Sequence, residues 1–133
     1  MILVDTSVMI GFLQGDENGA VRRFQYVLDN KFTFGISSLI YQEVLQGVKT
    51  EKDFEKVKRY LDTQRFYTLK DIRESYASAA KIYFLCRKKG ITLGSTIDCL
   101  IAQTAIENNL FLLHNDADFD RISKVADLKI FSL

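Results

Sequence analysis

The chain contains no proline, two cysteines, one histidine and only seven glycines, which are scattered. Without a Pro-rich or Gly/Ser-rich stretch, nothing marks a linker or a domain boundary. Cys86 and Cys99 have no third or fourth cysteine to complete a zinc site. They read as buried free thiols, which suits a reducing cytoplasm. No apolar run approaches the roughly 18 residues that a membrane span needs. The first apolar stretch breaks at Asp5 and carries no signal-peptide pattern, so the expected location is cytoplasmic, away from membranes. An excess of charge of one sign is also missing. Eighteen Lys and Arg face seventeen Asp and Glu, for a net charge of +1. Global charge therefore names no partner, and any grip on nucleic acid has to come from a local basic face.

What is present is a chain of 133 residues, nearly half of them apolar. That is one domain, residues 1–133, long enough to bury a core without disulfides. The apolar pattern alternates between strand and helix. Met1 to Val4 reads as a strand buried on both faces. A helix to about Leu13 follows, then one with Phe24, Val27 and Leu28 on one face. Phe32–Ile36 is a second strand. A helix capped by Ser37 or Ser38 ends at Gly47, and another carries Phe54, Val57 and Leu61. Phe66–Leu69 is a third strand. A long helix runs from about Asp71 to Lys89, with Ile72 and Tyr76 in its apolar spacing, and Gly90 stops it. Ser95 opens the next helix. Leu110–Leu113 is a fourth strand, 116–124 a short helix, and Leu128–Phe131 a last strand. Strands separated by helices predict an α/β sandwich with a mostly parallel sheet.

In such sheets ligands bind beyond the carboxyl ends of the strands. Asp5 directly follows the first strand, Asp71 comes two residues after the third and Asp116 three residues after the fourth. Taken singly, each is a good helix N-cap. Asp98, three residues after Ser95, resembles the acid of a capping box, yet it precedes the apolar run Cys99-Leu100-Ile101-Ala102. Glu43 lies beyond the first turn of its helix, with no cation three or four residues away. It either reaches out to water or meets a charge. Several carboxylates in one pocket repel each other and persist as anions only beside a cation. Oxygen ligands without a histidine or cysteine set suit Mg²⁺ or Mn²⁺, and such an ion commonly serves phosphoryl chemistry.

Four segments carry a resemblance. Met1-Ile2-Leu3-Val4-Asp5-Thr6-Ser7-Val8 resembles the opening motif of PIN-domain ribonucleases. Ile40-Tyr41-Gln42-Glu43-Val44 resembles their second acidic motif. Ile97-Asp98-Cys99-Leu100-Ile101-Ala102 resembles the third, and Leu112-Leu113-His114-Asn115-Asp116-Ala117-Asp118-Phe119 the fourth. Their order and the chain length are those of the VapC-type toxins. The resemblance implies a PIN-like three-layer sandwich with strand order 3-2-1-4-5 and helices on both sides. It implies that Asp5, Asp98 and Asp116 bind Mg²⁺ or Mn²⁺, that Glu43 binds metal or orients the attacking water, and that water attacks an RNA phosphodiester in line. Asp71 falls at an edge strand and is left as a cap. Thr6 and Ser7 hydrogen-bond near the site, cap the first helix, or do both. Asp118 is either an accessory acid or a solvated first-turn residue. The family often has Thr or Ser where this chain has His114, which reads as a solvated strand-end histidine, with phosphate contact as its other role. The implied partners are an RNA substrate, a cognate antitoxin and a second copy of the chain.

Rival readings remain at this level. One is a stand-alone RNA-processing nuclease of the same family. A second is a Mg²⁺-binding signalling receiver, although the third strand does not end in Asp and no Lys follows the fifth. A third is a non-catalytic module that binds RNA or protein. A dehalogenase-type phosphatase is disfavoured, because Asp5-Thr6-Ser7 lacks its second aspartate. Basic runs at Lys49–Arg59 and Arg87-Lys88-Lys89 serve either as solvated helix faces or as phosphate contacts.

Overall fold

A computed structural model describes residues 1–133. Five strands form one sheet: β1 (Ile2–Val4), β2 (Phe34–Ile36), β3 (Arg65–Phe66), β4 (Phe111–Leu113) and β5 (Lys129–Ile130). Their order is β3-β2-β1-β4-β5, and every pairing is parallel. Parallel neighbours need crossovers, and seven helices supply them: α1 (Thr6–Gln14), α2 (Gly19–Asp29), α3 (Ser38–Gln46), α4 (Glu51–Asp62), α5 (Glu74–Lys88), α6 (Ile97–Glu107) and α7 (Ala117–Ile122). The expected strand order is therefore the observed one, and the sheet is wholly rather than mostly parallel.

Ile2, Leu3 and Val4 are all buried, as a central strand covered on both faces requires. Leu112 and Leu113 of β4 are equally covered. Helix α1 packs on α2 and α3, and α5 packs on α6 and α7. Between them runs a continuous core that includes Phe24, Met9, Ile40, Ile101 and Phe119.

Several expected boundaries move. The third strand is Arg65–Phe66 rather than Phe66–Leu69, because only Gly35 and Ile36 of β2 offer it partners. The long helix starts at Glu74, not Asp71. Asp71 accepts from the N–H groups of Arg73 and Glu74, while Arg73 holds the N-cap position itself. Ile72 lies ahead of that helix and is 93% exposed, so it belongs to no apolar face. The next helix starts at Ile97 with Thr96 at its N-cap position, and the Ser95 hydroxyl accepts from the Ile97 N–H. No capping box forms there, which frees Asp98 for other work.

Gly35 holds the sheet edge together. A Cβ at this position would stand 2.5 Å from the Arg65 carbonyl oxygen and 2.7 Å from Cε2 of Tyr67. The oxygen belongs to backbone that is paired in the ladder and cannot swing aside. Gly35→Ala should therefore cost about 1–3 kcal/mol by overpacking. Urea melts would check this, and an unchanged midpoint would mean that β3 is free to move away.

Candidate metal centre

β1 and β4 lie side by side where the strand order reverses, so the crevice past their carboxyl ends is the expected binding place. Asp5 and Asp116 stand there. Asp5 is the N-cap of α1 and Asp116 the N-cap of α7. Their bland and functional readings thus hold together. Capping occupies one carboxylate oxygen in each case: Oδ2 of Asp5 accepts from the Ser7 N–H, and Oδ1 of Asp116 from the Asp118 N–H.

Asp98 enters from the first turn of α6 and is buried. One carboxylate oxygen each from Asp98, Asp116 and Asp118 come within 4.8 Å of one another. Asp5 is outside that tight trio but close enough to act on Asp98 electrostatically. Glu43, half-buried on α3, faces Asp5 and accepts a 2.8 Å hydrogen bond from the Thr6 hydroxyl. Within the protein its partner is this neighbouring hydroxyl, and it makes no salt bridge. The structure thus brings Asp5, Glu43, Asp98, Asp116 and Asp118 around one crevice.

Three expectations about this region change. Asp118 is not a solvated first-turn residue. It is buried, with Oδ2 accepting from the Gly94 N–H at 2.8 Å and Oδ1 meeting Arg121 at 2.8 Å. His114 is not a solvated strand-end histidine either. It is 8% exposed and packs its ring at 5.2 Å from that of Phe119. The capping assigned to Thr6 and Ser7 is done by Asp5 itself. Ser7 instead bridges the two strand ends: its hydroxyl donates to Asp5 at 2.6 Å and accepts from the Asn115 N–H at 2.9 Å. Gly94 escaped the sequence reading altogether. The only available signal was a glycine just ahead of the Asp98 helix, where a backbone donor can approach an acid closely.

The electrostatics are those of a site built for a cation. Burial, joined by the charges of Asp116, Asp5 and Asp118, pushes the Asp98 carboxyl up to about 8. Burial also raises Asp5, against the lowering effect of its bonds to Ser7, and Glu43 adds to the rise. No lysine, arginine or histidine forms a salt bridge with Asp5, Asp98 or Asp116, and Arg121 reaches only Asp118. Asp5, Asp98 and Asp116 thus form an acidic cluster with no salt-bridged protein cation of their own, which is costly unless an ion neutralises it. An all-oxygen donor set fits a hard divalent cation such as Mg²⁺ or Mn²⁺. Cys99 comes from the same helix, but burial lifts its thiol to about 11, so it offers no ready thiolate.

A parallel α/β sheet with clustered carboxylates at its switch point is the architecture of a protein suited to hold a divalent cation. The sequence matches the PIN domain family over residues 2–125, and the chain belongs to that family. It is 29% identical to a VapC ribonuclease of Mycobacterium bovis and to ribonuclease VapC11 of Mycobacterium tuberculosis, in each case over 99% of this chain and 98% of the relative. Its fold is similar to that of VapBC2 from Rickettsia felis, bound to a DNA fragment from its promoter, with a TM-score of 0.74, 21% identity and coverage of 100% and 99% of the two chains. DNA-bound VapBC from Salmonella typhimurium is similar too, with a TM-score of 0.75, 21% identity and coverage of 98% and 96%. No helix is long and apolar enough to cross a membrane.

Proposed function

We propose that this chain is a divalent-metal-dependent endoribonuclease and the toxin of a toxin–antitoxin pair. The observation that carries the reading is the convergence of Asp98, Asp116 and Asp118 oxygens within 4.8 Å, beside Asp5 and without a salt-bridging cation on Asp5, Asp98 or Asp116. The relatives named as VapC ribonucleases support the choice of RNA as substrate.

Asp5, Asp98 and Asp116 would hold Mg²⁺ or Mn²⁺, with Asp118 and Glu43 beside them. A cation bound there polarises the scissile phosphate and lowers the pKa of attacking water. The protein's part is placement. Ser7 keeps the Asp5 carboxylate oriented and ties it to the loop before Asp116. Thr6 fixes Glu43 on the rim, where its free carboxylate oxygen can accept a hydrogen bond from water and align it for in-line attack.

The toxin reading also calls for a surface that an antitoxin can cover. A groove of about 680 Å³ between α1, α3 and α4, lined by Ile10, Leu13, Val44 and Val57 and rimmed by Lys49 and Lys56, suits an apolar segment with acidic flanks. A homodimer, in the reducing cytoplasm, completes the proposal. Sedimentation as a monomer at micromolar concentration would remove the dimer.

The decisive experiment is cleavage of mixed cellular RNA by the purified chain with Mg²⁺ or Mn²⁺. Cutting should stop when EDTA is added and resume when the metal is restored. Cutting that proceeds unchanged in EDTA would reject the metal-dependent mechanism.

A further inference from the structure

His114 is built into the Asp116 turn. The Asp116 N–H donates to Nδ1 of His114 at 3.1 Å. A backbone N–H can only donate, so Nδ1 must carry its lone pair toward Asp116, and the ring proton must sit on Nε2. Nε2 in turn faces Oδ1 of Asp120 at 3.2 Å. The ring is buried, and fully buried Phe119 packs against it. The neighbouring donors are also matched: the Asn115 N–H goes to Ser7 and the Asp118 N–H to Asp116 itself. His114 therefore supplies the acceptor that this turn otherwise lacks.

We infer that His114 is a positioning residue, which holds the Asp116 backbone through Nδ1 and so aims the Asp116 carboxylate into the acidic crevice. The role toward metal rests on the nuclease reading above, whereas the hydrogen bond does not. The Asp120 contact lies on an exposed carboxylate and locks the tautomer rather than the fold. Groups that orient metal ligands from behind typically set affinity by about 10- to 100-fold.

Two variants separate the acceptor from the bulk of the ring. His114→Asn keeps an acceptor for the N–H two residues on, as in an Asx turn, but loses volume. His114→Leu keeps much of the apolar volume and has no acceptor. Mn²⁺ titrated into each folded protein, read by the electron paramagnetic resonance of the free ion, should give His114→Asn an affinity within about threefold of the parent and His114→Leu one weaker by about tenfold or more. Any other ranking, equal affinities included, overturns the proposal. The chain has a single histidine, so its ring nitrogens give the only imidazole signals in a ¹⁵N spectrum. Nδ1 should appear unprotonated and hydrogen-bonded near neutral pH, and a protonated Nδ1 on a neutral ring would overturn the assignment without reference to metal or RNA. If the parent protein binds no Mn²⁺, the metal reading fails, and the imidazole spectrum still decides what His114 does.

Discussion

Asp98→Asn should make the metal-free protein more stable and the enzyme inactive. The two signs come from one cause. In the folded chain the Asp98 carboxyl is buried and stands among Asp116, Asp5 and Asp118, and its pKa is pushed up to about 8. An amide of nearly the same shape carries no charge, so as pH rises from about 4 toward 8 it removes both the desolvation penalty and the repulsion. A shift of this size corresponds to a contribution on the order of a few kcal/mol, or several degrees in melting temperature for a chain of this length. The gain should appear at pH 8 in EDTA and vanish near pH 4, where the native carboxyl is already neutral. RNA cleavage should fall by at least about a hundredfold, as when one electrostatic stabiliser is taken from an active site. Calorimetry and a cleavage assay on the same preparation check both signs. A variant that melts lower at pH 8 than the parent would show that Asp98 serves the fold rather than a cation.

The second large effect is an inverted dependence of stability on pH. Most carboxylates in folded proteins are paired, and acid unfolds the chain by protonating them. Asp98 and Asp5 work the other way here. Their folded pKa values are raised above the ordinary carboxylate value of 3.8, so the folded chain binds protons more tightly than the unfolded one. Their contribution to stability is greatest below about pH 4 and is lost as pH rises through the folded pKa, about 8 for Asp98. The metal-free protein should therefore melt at a lower temperature at pH 8 than at pH 6. Mn²⁺ competes for the deprotonated site, so it should raise the melting temperature more at pH 8 than at pH 6. A melting temperature that climbs from pH 6 to pH 8 in EDTA would mean that other groups outweigh the acidic cluster. A metal-induced shift independent of pH would mean that binding occurs elsewhere.

Much of this arrangement was legible from residue order. The buried run Ile2-Leu3-Val4 called for a central parallel strand, and α3 begins and ends where Ser37 and Gly47 indicated. Asp5 and Asp116 follow strands, and Glu43 had no partner on its own helix, so their convergence was a fair expectation. Ile72 was misread because its helical spacing continued into Tyr76, while the helix itself starts only at Glu74.

Residue order thus determined which acids end strands, which helices carry Glu43 and Asp98, and which chemistry an all-carboxylate set can perform. These are local matters, settled by hydrophobic period, capping and ligand type. Tertiary structure alone decided what Asp118 and His114 are. Asp118 looks like a polar residue at a helix start and His114 like one at a strand end, and each is buried because a distant segment or a neighbouring core ring closes over it. The Gly94 N–H, twenty-four residues away, claims Asp118, and His114 lies against Phe119 with its Nδ1 toward Asp116. Burial and hydrogen-bond direction depend on what the rest of the chain brings alongside, and no local pattern encodes that.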